Sequence, residues 1–365
     1  MAEVFLGSSL GAEGFRRRVA IKRVLPELSD NPEFAQMFIK EAQISSRLVH
    51  PNIVSVIDFH KDANNRLFLV MELVEGCDLD ALLTSGPLPY PVIIFIATEV
   101  LRGLGHAHNL TIGPGTRGLI HRDVSPHNVL LSWEGAVKIS DFGIAKARTA
   151  SAATASAFIR GKPAYMSPEQ ARGEPLDGRS DLFAAGVMLW EMLVDKRLFV
   201  AADTQATLAA LLFGPIARPR LLRSTVAKDL EQVTLQLLER DPARRYPTAE
   251  AAIFDLLQCE DAPTAGREML RQILAERFPG DAPQRPSARR MMLGSSAAQP
   301  IVETTAASPR RNRPSLSAPD LSSVMSAPTG TVHAAKPSGT RATVVLTLAL
   351  ALLGLALLGF AVLGS

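Results

Sequence analysis

Residues 121–128 read His-Arg-Asp-Val-Ser-Pro-His-Asn and residues 141–143 read Asp-Phe-Gly, and these two motifs decide how the whole chain is interpreted. Asp123 and Asn128 lie five residues apart on one predicted loop, and Asp141 follows a short apolar stretch. Three such side chains can converge on one Mg-nucleotide, with Asp123 as the base and Asn128 and Asp141 as metal ligands. The motifs therefore predict a site that handles a nucleotide and a divalent cation.

The apolar residues between the two motifs predict a hairpin. Residues 129–131 and 137–139 have the composition of two short strands, and Glu134-Gly135 is typical of the turn between them. Such a hairpin would bring Asp141 back beside Asn128. The alternative is a surface loop that contains acidic and amide residues by chance, but two motifs in this order and spacing favour the site.

At this point the sequence resembles the eukaryotic-type protein kinases, and in particular the bacterial Ser/Thr kinases, over roughly residues 1–260. The resemblance implies an α+β, two-lobed kinase domain over residues 1–278. Its N-lobe would be small and β-rich, to about residue 75, and its C-lobe would be larger and helical, over about residues 76–278. Mg-ATP would bind between the lobes.

A lysine and a glutamate are predicted to position the nucleotide phosphates. Lys22 ends a Val-Ala-Ile-Lys strand, residues 19–22, and Glu41 lies in a helical apolar pattern over residues 34–44. A lysine at a strand end usually points to water, so its significance depends on an acidic partner that orients it. By resemblance, Lys22 and Glu41 are the strand Lys and helix Glu pair of kinases.

The glycine-rich loop that covers the phosphates in kinases is incomplete in this sequence. By resemblance, Ala2 stands at the third glycine of that loop, Val4 packs on the base, and Ala20 lines the same nucleotide site. The first strand and both leading glycines are missing. Either the start codon is assigned too far downstream, or the protein is clipped and binds ATP weakly. The otherwise complete catalytic set favours the first alternative.

The adenine and ribose of the nucleotide are expected beside the connection between the lobes. Residues 53–57 and 67–71 predict two further strands, and the resemblance places the gatekeeper at Met71. Glu72 and Val74 then belong to the hinge, where backbone groups bind adenine. Asp78 stands where the family has an acid on the ribose, although it is equally suited to the N-terminus of the next helix.

The C-lobe residues predict a helical scaffold. Residues 92–108 have the periodicity of a buried helix, in which His106 and His108 face apart and are structural, and residues 111–118 form a surface loop. By resemblance, Asp181 braces the catalytic-loop backbone. Residues 167–169, Ser-Pro-Glu, resemble the family's Ala-Pro-Glu motif. By the same resemblance, the acid of this motif, Glu169, pairs with Arg245.

The polar segment between Asp141 and Glu169 has the composition of a loop that becomes ordered conditionally. Family geometry would bring Arg122 and Lys146 together beneath it, so a phosphate there would gain charge-assisted hydrogen bonds. Self-association for autophosphorylation is therefore expected, at one of Thr149, Ser151, Thr154 and Ser156. The alternative is that both cations pair with nearby acids.

Two positions depart together from most Ser/Thr kinases. Ser125 stands where the family usually has a lysine that reaches the transferred phosphate, and Lys162 stands where it has a threonine. We hypothesise that Lys162 supplies the charge and Ser125 the hydroxyl, which adds both to the catalytic residues. The alternative is that Lys162 is a solvated loop residue and that the site tolerates Ser125.

The carboxyl-terminal part of the sequence differs in composition from the kinase-like part. Residues 279–341 are rich in Pro, Ala, Ser, Thr and Arg and predict a disordered linker. Residues 342–364 contain an uncharged run, 343–363, long enough for one transmembrane helix. Lys336 and Arg341 precede it, so the positive-inside tendency places a single-pass protein in the inner membrane with its kinase domain in the cytoplasm.

Composition limits the remaining functions. The net charge is +3 without a lysine-rich run interleaved with aromatic residues, so nucleic acid is not an expected partner. Cys77 and Cys259 are interpreted as reduced thiols, although one disulfide stays open. The favoured function is transfer of the ATP γ-phosphate to protein Ser/Thr hydroxyls in signalling. A membrane-anchored pseudokinase scaffold is the main rival, and a receptor kinase is disfavoured because no external domain follows the span.

Overall fold

The computed structural model describes residues 2–24, 32–62, 66–113, 116–142, 163–280 and 303–304. The strands are β1 Ala2–Leu10, β2 Arg16–Val24, β3 Val56–Lys61, β4 Leu67–Glu72, β5 Gly76–Asp78, β6 Thr111–Gly113, β7 Thr116–Arg117, β8 Val129–Ser132, β9 Val137–Ile139 and β10 Glu303–Thr304. The α-helices are α1 Pro32–Ser45, α2 Leu79–Thr84, α3 Tyr90–His108, α4 Pro168–Arg172, α5 Arg179–Val194, α6 Thr204–Phe213, α7 Pro219–Leu222, α8 Lys228–Leu237, α9 Ala249–Gln258 and α10 Gly266–Arg277.

The first part of the chain forms a sheet with the order β10-β1-β2-β4-β3. Strand β2 lies between β1 and β4 in antiparallel pairings, and its alternation buries Val19 and Ile21 on one face. On the other face, Ala20 and Lys22 remain half-buried. Because side chains alternate along a strand, this second face can present Lys22 to a ligand while the first face packs into a core.

The predicted strand at residues 53–57 is displaced in the structure. Strand β3 begins at Val56, and Ile53 instead forms an isolated parallel bridge with Ile139 of β9. Val54 N donates to Ile139 O at 2.9 Å, and Ile139 N donates to Asn52 O at 2.8 Å. This apolar run therefore connects the two lobes, a use of backbone hydrogen bonds that strand composition does not reveal.

Two stretches for which the sequence predicted no strands contain short ones. The insert predicted as a surface loop contains the small hairpin β6–β7, with Thr111 opposite Arg117. The predicted linker contributes β10, whose Glu303 and Thr304 pair in parallel with Ser8 and Ser9 of β1. Short backbone pairings of this kind need little apolar sequence, so composition alone misses them.

The helical lobe is built around α5, which is buried from Ser180 to Val194. Helix α3 packs against it with its own apolar residues, as the periodicity predicted, and α8 and α9 pack in the same core. The two cysteines are free thiols, and burial raises the pKa of Cys259 to about 12. This lobe therefore provides a rigid base for the loops at its surface.

Strands β5, β8 and β9 form a second sheet beneath the connection between the lobes. Gly76 of β5 lies so close to β8 that a Cβ there would stand 1.7 Å from Leu131 O. Only glycine allows this approach, which fixes the segment after the hinge onto the strand that follows Asn128. No helix among the described residues is both long and apolar enough to span a membrane, and the predicted span 343–363 lies outside them.

Candidate active site

The catalytic-loop backbone is held by one buried carboxylate. Asp181 Oδ2 accepts from His121 N at 2.8 Å, and Oδ1 accepts from Arg122 N at 2.9 Å. His108 Nε2 lies 2.7 Å from Asp181 Oδ2. Burial alone would raise the pKa of Asp181, but the hydrogen bond and charge of His108 hold it below its usual value. The predicted bracing role of Asp181 is confirmed, and His108 has the structural role that was expected.

His121 links the catalytic loop to the residue before Asp141. Its Nε2 donates to Ser140 O at 2.9 Å, and Asp123 N donates to its Nδ1 at 3.2 Å. The ring also contacts Phe142, with 4.5 Å between the ring centroids. Burial lowers the pKa of His121, which favours the neutral ring that this pair of hydrogen bonds requires. Its position fixes the start of the Asp-Phe-Gly motif relative to Asp123.

Asp123 and Asn128 contact each other directly. Asn128 Nδ2 donates to Asp123 O at 2.7 Å and to Asp123 Oδ2 at 3.2 Å. These bonds use the amide nitrogen, so the amide oxygen of Asn128 is directed away from Asp123 and suited to a cation. The predicted base and the first predicted metal ligand therefore form one unit.

The predicted hairpin between the motifs is confirmed. Val129 pairs with Ile139 in the β8–β9 ladder, and Gly135 at its turn has φ of 77°. At its open end, Ser140 N donates to Asn128 O at 2.8 Å. Asp141 then adopts a left-handed φ of 59°, so the chain changes direction directly after the strand. The hairpin thus places the two predicted metal ligands side by side.

Lys22 Nζ lies 2.8 Å from Asp141 Oδ1, which joins the sheet of the first lobe to the Asp-Phe-Gly motif. Sequence reasoning missed this pair. The predicted partner, Glu41, has its backbone in α1, but its side chain lies outside the described residues. The proposed Lys22–Glu41 pair therefore stays a prediction.

The donor set fits a magnesium ion. Mg²⁺ binds hard oxygen ligands and is usually held by one or two carboxylates together with substrate phosphates. The oxygens of Asn128 and Asp141 stand at neighbouring ends of one hairpin, as Ser140 N and Asn128 O show by their contact. Lys22 adds a cation beside Asp141 that can bind phosphate oxygens. These residues would hold a metal-bound nucleotide.

The roof of the cleft is the face of β1 and β2 that carries Lys22. Val4 stands directly opposite Lys22, Leu6 stands opposite Ala20, and Ala20 stands opposite Met71 of β4. Val4 and Leu6 are 61% and 54% exposed. Apolar side chains in register on one open face suit the flat face of a base. Sequence reasoning selected Val4, Ala20 and Met71 but missed Leu6, which the two-residue alternation from Val4 could have identified.

The hinge residues have structural contacts of their own. Glu72 ends β4 and pairs with Lys138 of β9 at 2.6 Å, so its side chain ties the lobes together. Asp78 caps α2, because its Oδ1 accepts from Ala81 N at 2.8 Å. His127 Nδ1 stands 3.5 Å from the other oxygen of Asp78. Val74 follows in the hinge and is half-buried. Adenine and ribose contacts at Glu72, Val74 and Asp78 stay predictions.

Of the two residues in the predicted exchange of a hydroxyl and a cation, the structure describes only Ser125. Ser125 is buried in the catalytic loop, where its backbone is extended before Pro126. Lys162 lies outside the described residues, as do Lys146 and the four candidate phosphorylation residues, Thr149, Ser151, Thr154 and Ser156.

The backbone of Arg122 has a left-handed φ of 66°, which is unusual for a residue with a Cβ and marks a constrained loop.

The segment that begins at residue 163 is anchored by an ion pair. Arg245 Nη1 lies 2.9 Å from Glu169 Oε1, and Ser180 Oγ donates to the same oxygen at 2.7 Å. Both charges are buried, and burial alone would raise the pKa of Glu169, but Arg245 holds it below its usual value. The predicted pair is confirmed. It fixes α4 against α5, which keeps the start of α4 beside the catalytic loop.

Comparison with known proteins identifies the family. Residues 9–255 match the family described as Protein kinase domain, which is more than half of the chain. The chain belongs to the protein kinase family. Members of this family use ATP as phosphate donor together with Mg²⁺, and the residues assembled above match that chemistry.

Bacterial relatives support this assignment. Tyrosine-protein kinase MasK of Myxococcus xanthus is 42% identical over 257 residues, 69% of this chain and 40% of that protein. Serine/threonine-protein kinase PrkC of Bacillus subtilis is 33% identical over 263 residues, 72% of this chain and 39% of that protein. This protein kinase therefore spans about 40% of the length of these two curated relatives.

A solved structure supports the fold of this protein kinase. The crystal structure of the Mycobacterium tuberculosis PknI kinase domain aligns with a TM-score of 0.53 and 27% identity, over 72% of this chain and 91% of that one. A β-rich lobe followed by a helical lobe, as the sequence predicted, is therefore the protein kinase fold.

Proposed function

We propose that this protein kinase transfers the γ-phosphate of Mg-ATP to Ser and Thr hydroxyls of other proteins. The observation that carries the proposal is the contact of Asn128 with Asp123 together with the ion pair of Lys22 with Asp141. These contacts bring a base, two oxygen ligands and a phosphate-binding cation to one cleft. Phosphoryl transfer depends on this kind of positioning and charge placement.

Each residue has a role that follows from its contacts. Asp123 accepts the proton of the substrate hydroxyl, and Asn128 holds the Asp123 carboxylate in place through Nδ2. Lys22 binds phosphate oxygens from the sheet side of the cleft. When bound, Mg²⁺ neutralises charge on the phosphates, and Asn128 and Asp141 would hold it. Val4, Leu6 and Ala20 cover the base.

Phosphoamino acid analysis tests both the activity and its specificity. The purified chain is incubated with radiolabelled ATP, Mg²⁺ and a general acceptor protein, and the hydrolysed product is separated into its phosphoamino acids. Phosphoserine and phosphothreonine are expected. Phosphotyrosine is the contrary result to look for, because the relative MasK is described as a tyrosine-protein kinase. Phosphotyrosine would retain the kinase reaction and refute the Ser/Thr specificity. Asp123→Asn is the matched inactive control.

A pseudokinase scaffold is the second candidate, because Ala2 stands where the family has the third glycine of the phosphate-covering loop. ATP binding and autophosphorylation of this chain, compared with a version extended upstream, separate the candidates. Activity in either version supports the enzyme. If neither version binds ATP or autophosphorylates while a protein partner binds, the result supports the scaffold.

Activation by loop phosphorylation is part of the proposed function. A phosphate on Thr149, Ser151, Thr154 or Ser156 would be attracted to Arg122, beside the catalytic Asp123, and to Lys146. Mass spectrometry of active protein should find phosphate between residues 144 and 160. Active protein without phosphate there would exclude this form of activation.

Anchoring in the inner membrane is proposed from the uncharged run 343–363 and the basic residues Lys336 and Arg341 before it. Deleting residues 340–365 should move the protein from the membrane fraction to the soluble fraction and preserve phosphoryl transfer. Full-length protein that stays in the supernatant after ultracentrifugation would contradict the anchor without affecting the kinase proposal.

A further inference from the structure

Arg197 joins three parts of the helical lobe that carry none of the catalytic residues. It follows the end of α5, and its side chain is 43% exposed. Its Nη1 donates to Glu191 Oε2 at 3.0 Å, and its Nη2 donates to Asp80 Oδ1 of α2 at 2.5 Å. The guanidinium also bonds to the Tyr165 hydroxyl and stands over the Tyr165 ring, 5.8 Å from its centroid. One planar cation therefore bridges α5, α2 and the turn at residues 163–165.

Glu191 fixes this bridge to the core. It lies in α5 and is only 4% exposed. Its Oε2 accepts from the Tyr165 hydroxyl at 2.6 Å as well as from Arg197, and its Oε1 accepts from Leu198 N at 3.1 Å. A buried carboxylate is stable only when its oxygens are bonded in this way. The positions of Arg197 and Tyr165 therefore follow that of the buried helix.

The bridge reaches one end of the catalytic loop, residues 121–128, through Asp80. Asp80 Oδ2 stands 3.7 Å from His127 Nδ1, beside the predicted metal ligand Asn128. The other end of the loop is held by α4, because Gln170 Nε2 donates to Arg122 O at 2.9 Å. Helices α2 and α4 therefore lie at the two ends of the loop that carries the base.

Tyr165 connects the bridge to the α4 end of the loop. The turn at residues 163–165 is closed by Met166 N, which donates to Pro163 O at 3.2 Å. Ser167 follows as the N-cap of α4, and its Oγ accepts from Gln170 N at 3.2 Å. By holding both Asp80 and Tyr165, Arg197 sets the distance between the segments at the two ends of the catalytic loop.

A protein substrate must lie across these segments. A hydroxyl that reaches Asp123 belongs to a chain that advances about 3.3–3.6 Å per extended residue, so its neighbours meet both ends of the loop. We propose that Arg197 is a positioning residue for the protein substrate: by bonding Asp80 and Tyr165, it holds the surface on which the residues flanking the phosphorylated hydroxyl lie. This inference rests on the proposed transfer of phosphate to proteins.

Arg197→Ala separates binding of the protein substrate from the chemical step. With myelin basic protein as acceptor, the KM for the acceptor should rise about tenfold, while kcat and the KM for ATP stay near their native values. Hydrolysis of ATP to free phosphate without an acceptor protein should be unchanged, since water does not need the surface. A purely structural role would lower both reactions together, and that result would overturn the proposal.

Arg223→Ala is the matched control. Arg223 Nη1 also donates to the backbone of α5, at Leu193 O with 3.1 Å, and its guanidinium also stands over a tyrosine ring, 5.6 Å from the centroid of Tyr90. Within the described chain it bonds neither Asp80 nor Tyr165. Its loss should lower Tm about as much as Arg197→Ala and leave the KM for myelin basic protein native. An equal rise of that KM in both variants would show general loosening of α5 and overturn the proposal.

Asp80→Ala removes one arm of the bridge at the surface. Alone it should also raise the KM for myelin basic protein, and in the Arg197→Ala background it should add little, because the two residues act through one contact. Additive effects would show that they act separately and would overturn the proposal. If Arg197→Ala does not fold, Asp80→Ala decides: a raised KM with unchanged ATP hydrolysis supports the proposal, and an unchanged KM refutes it.

The native protein distinguishes failure of this inference from failure of the proposed function. If native protein transfers no phosphate to myelin basic protein, the proposed function and the inference that rests on it both fail. If native protein is active and Arg197→Ala matches it in kcat and in both KM values, only the positioning role of Arg197 is wrong.

Discussion

The floor and the roof of the cleft are built in opposite ways. The floor consists of the catalytic loop, residues 121–128, and the β8–β9 hairpin, and its backbone is held by buried groups such as Asp181 and His121. The roof is the face of β1 and β2, where Val4 and Leu6 are mostly exposed. The charges that act in phosphoryl transfer are therefore fixed in advance, whereas the base is bound by covering apolar surface. Floor variants should change kcat, and roof variants should change KM.

The largest expected effect is on the floor. Asp123→Asn keeps the shape of the side chain but removes the proton acceptor, so kcat should fall by about 10³-fold. Calorimetric ATP binding and Tm should change little, because the carbonyl oxygen of residue 123 still accepts from Asn128. Retention of kcat would remove Asp123 from its catalytic role, and a large loss of Tm would make the result uninformative about chemistry.

A second variant tests the exchanged hydroxyl and cation. Lys162→Ala should lower kcat by ~10² or more if its charge neutralises the transferred group, by analogy with the loss of one preorganised donor. The KM for ATP should change less than kcat. An unchanged kcat would favour the alternative, in which Lys162 is a solvated loop residue.

The matched reversal is Ser125→Lys combined with Lys162→Thr, which restores the family's usual arrangement. Recovery of much of the lost kcat in this double variant would show that the two positions act together. If each single change and the double change are merely additive, the proposed exchange between Ser125 and Lys162 is wrong.

A roof variant should give the converse result. Val4→Ala removes apolar surface that would cover the base, so the KM for ATP should rise about tenfold and kcat should stay near its native value. Because Val4 is mostly exposed, stability should change by less than about 0.5 kcal/mol. Leu6→Ala should behave in the same way. A fall in kcat without a change in KM would show that roof and floor are not separate.

The smallest effect concerns the support of the floor. Burial lowers the pKa of His121, so the unfolded chain takes up a proton there before the folded protein does. Stability should therefore decrease as pH falls through about 6.5, by up to about 0.8 kcal/mol between pH 7.5 and 6.0. Urea unfolding at both pH values measures this, and His121→Gln should reduce the slope. A slope that persists undiminished in that variant would come from other groups.

The floor could be predicted from the sequence because its residues are close together in the chain. The hairpin that joins Asn128 to Asp141 needs only a local turn and two apolar strands, and the sequence contains recognisable patterns for both. The roles of Asp181 and of the Glu169–Arg245 pair followed from resemblance to the family, and the structure contains both. Motif spacing carries this information without any knowledge of packing.

Contacts between distant segments were harder to predict. The ion pair of Lys22 with Asp141 joins residues from different lobes. The apolar run that begins at Ile53 forms an isolated bridge to β9, although its composition predicted a strand. Both depend on how the lobes meet, which no local pattern encodes.

Strand β9 is bonded to both lobes, and this determines how the cleft can open. It pairs with β8 on one side, while its Ile139 exchanges backbone hydrogen bonds with Asn52 and Val54 and its Lys138 pairs with Glu72. A hinge motion rotates least about its points of attachment. We therefore expect the axis of opening to run close to Asp141, so that nucleotide can enter and leave at the front while the metal-binding end of the hairpin stays almost stationary.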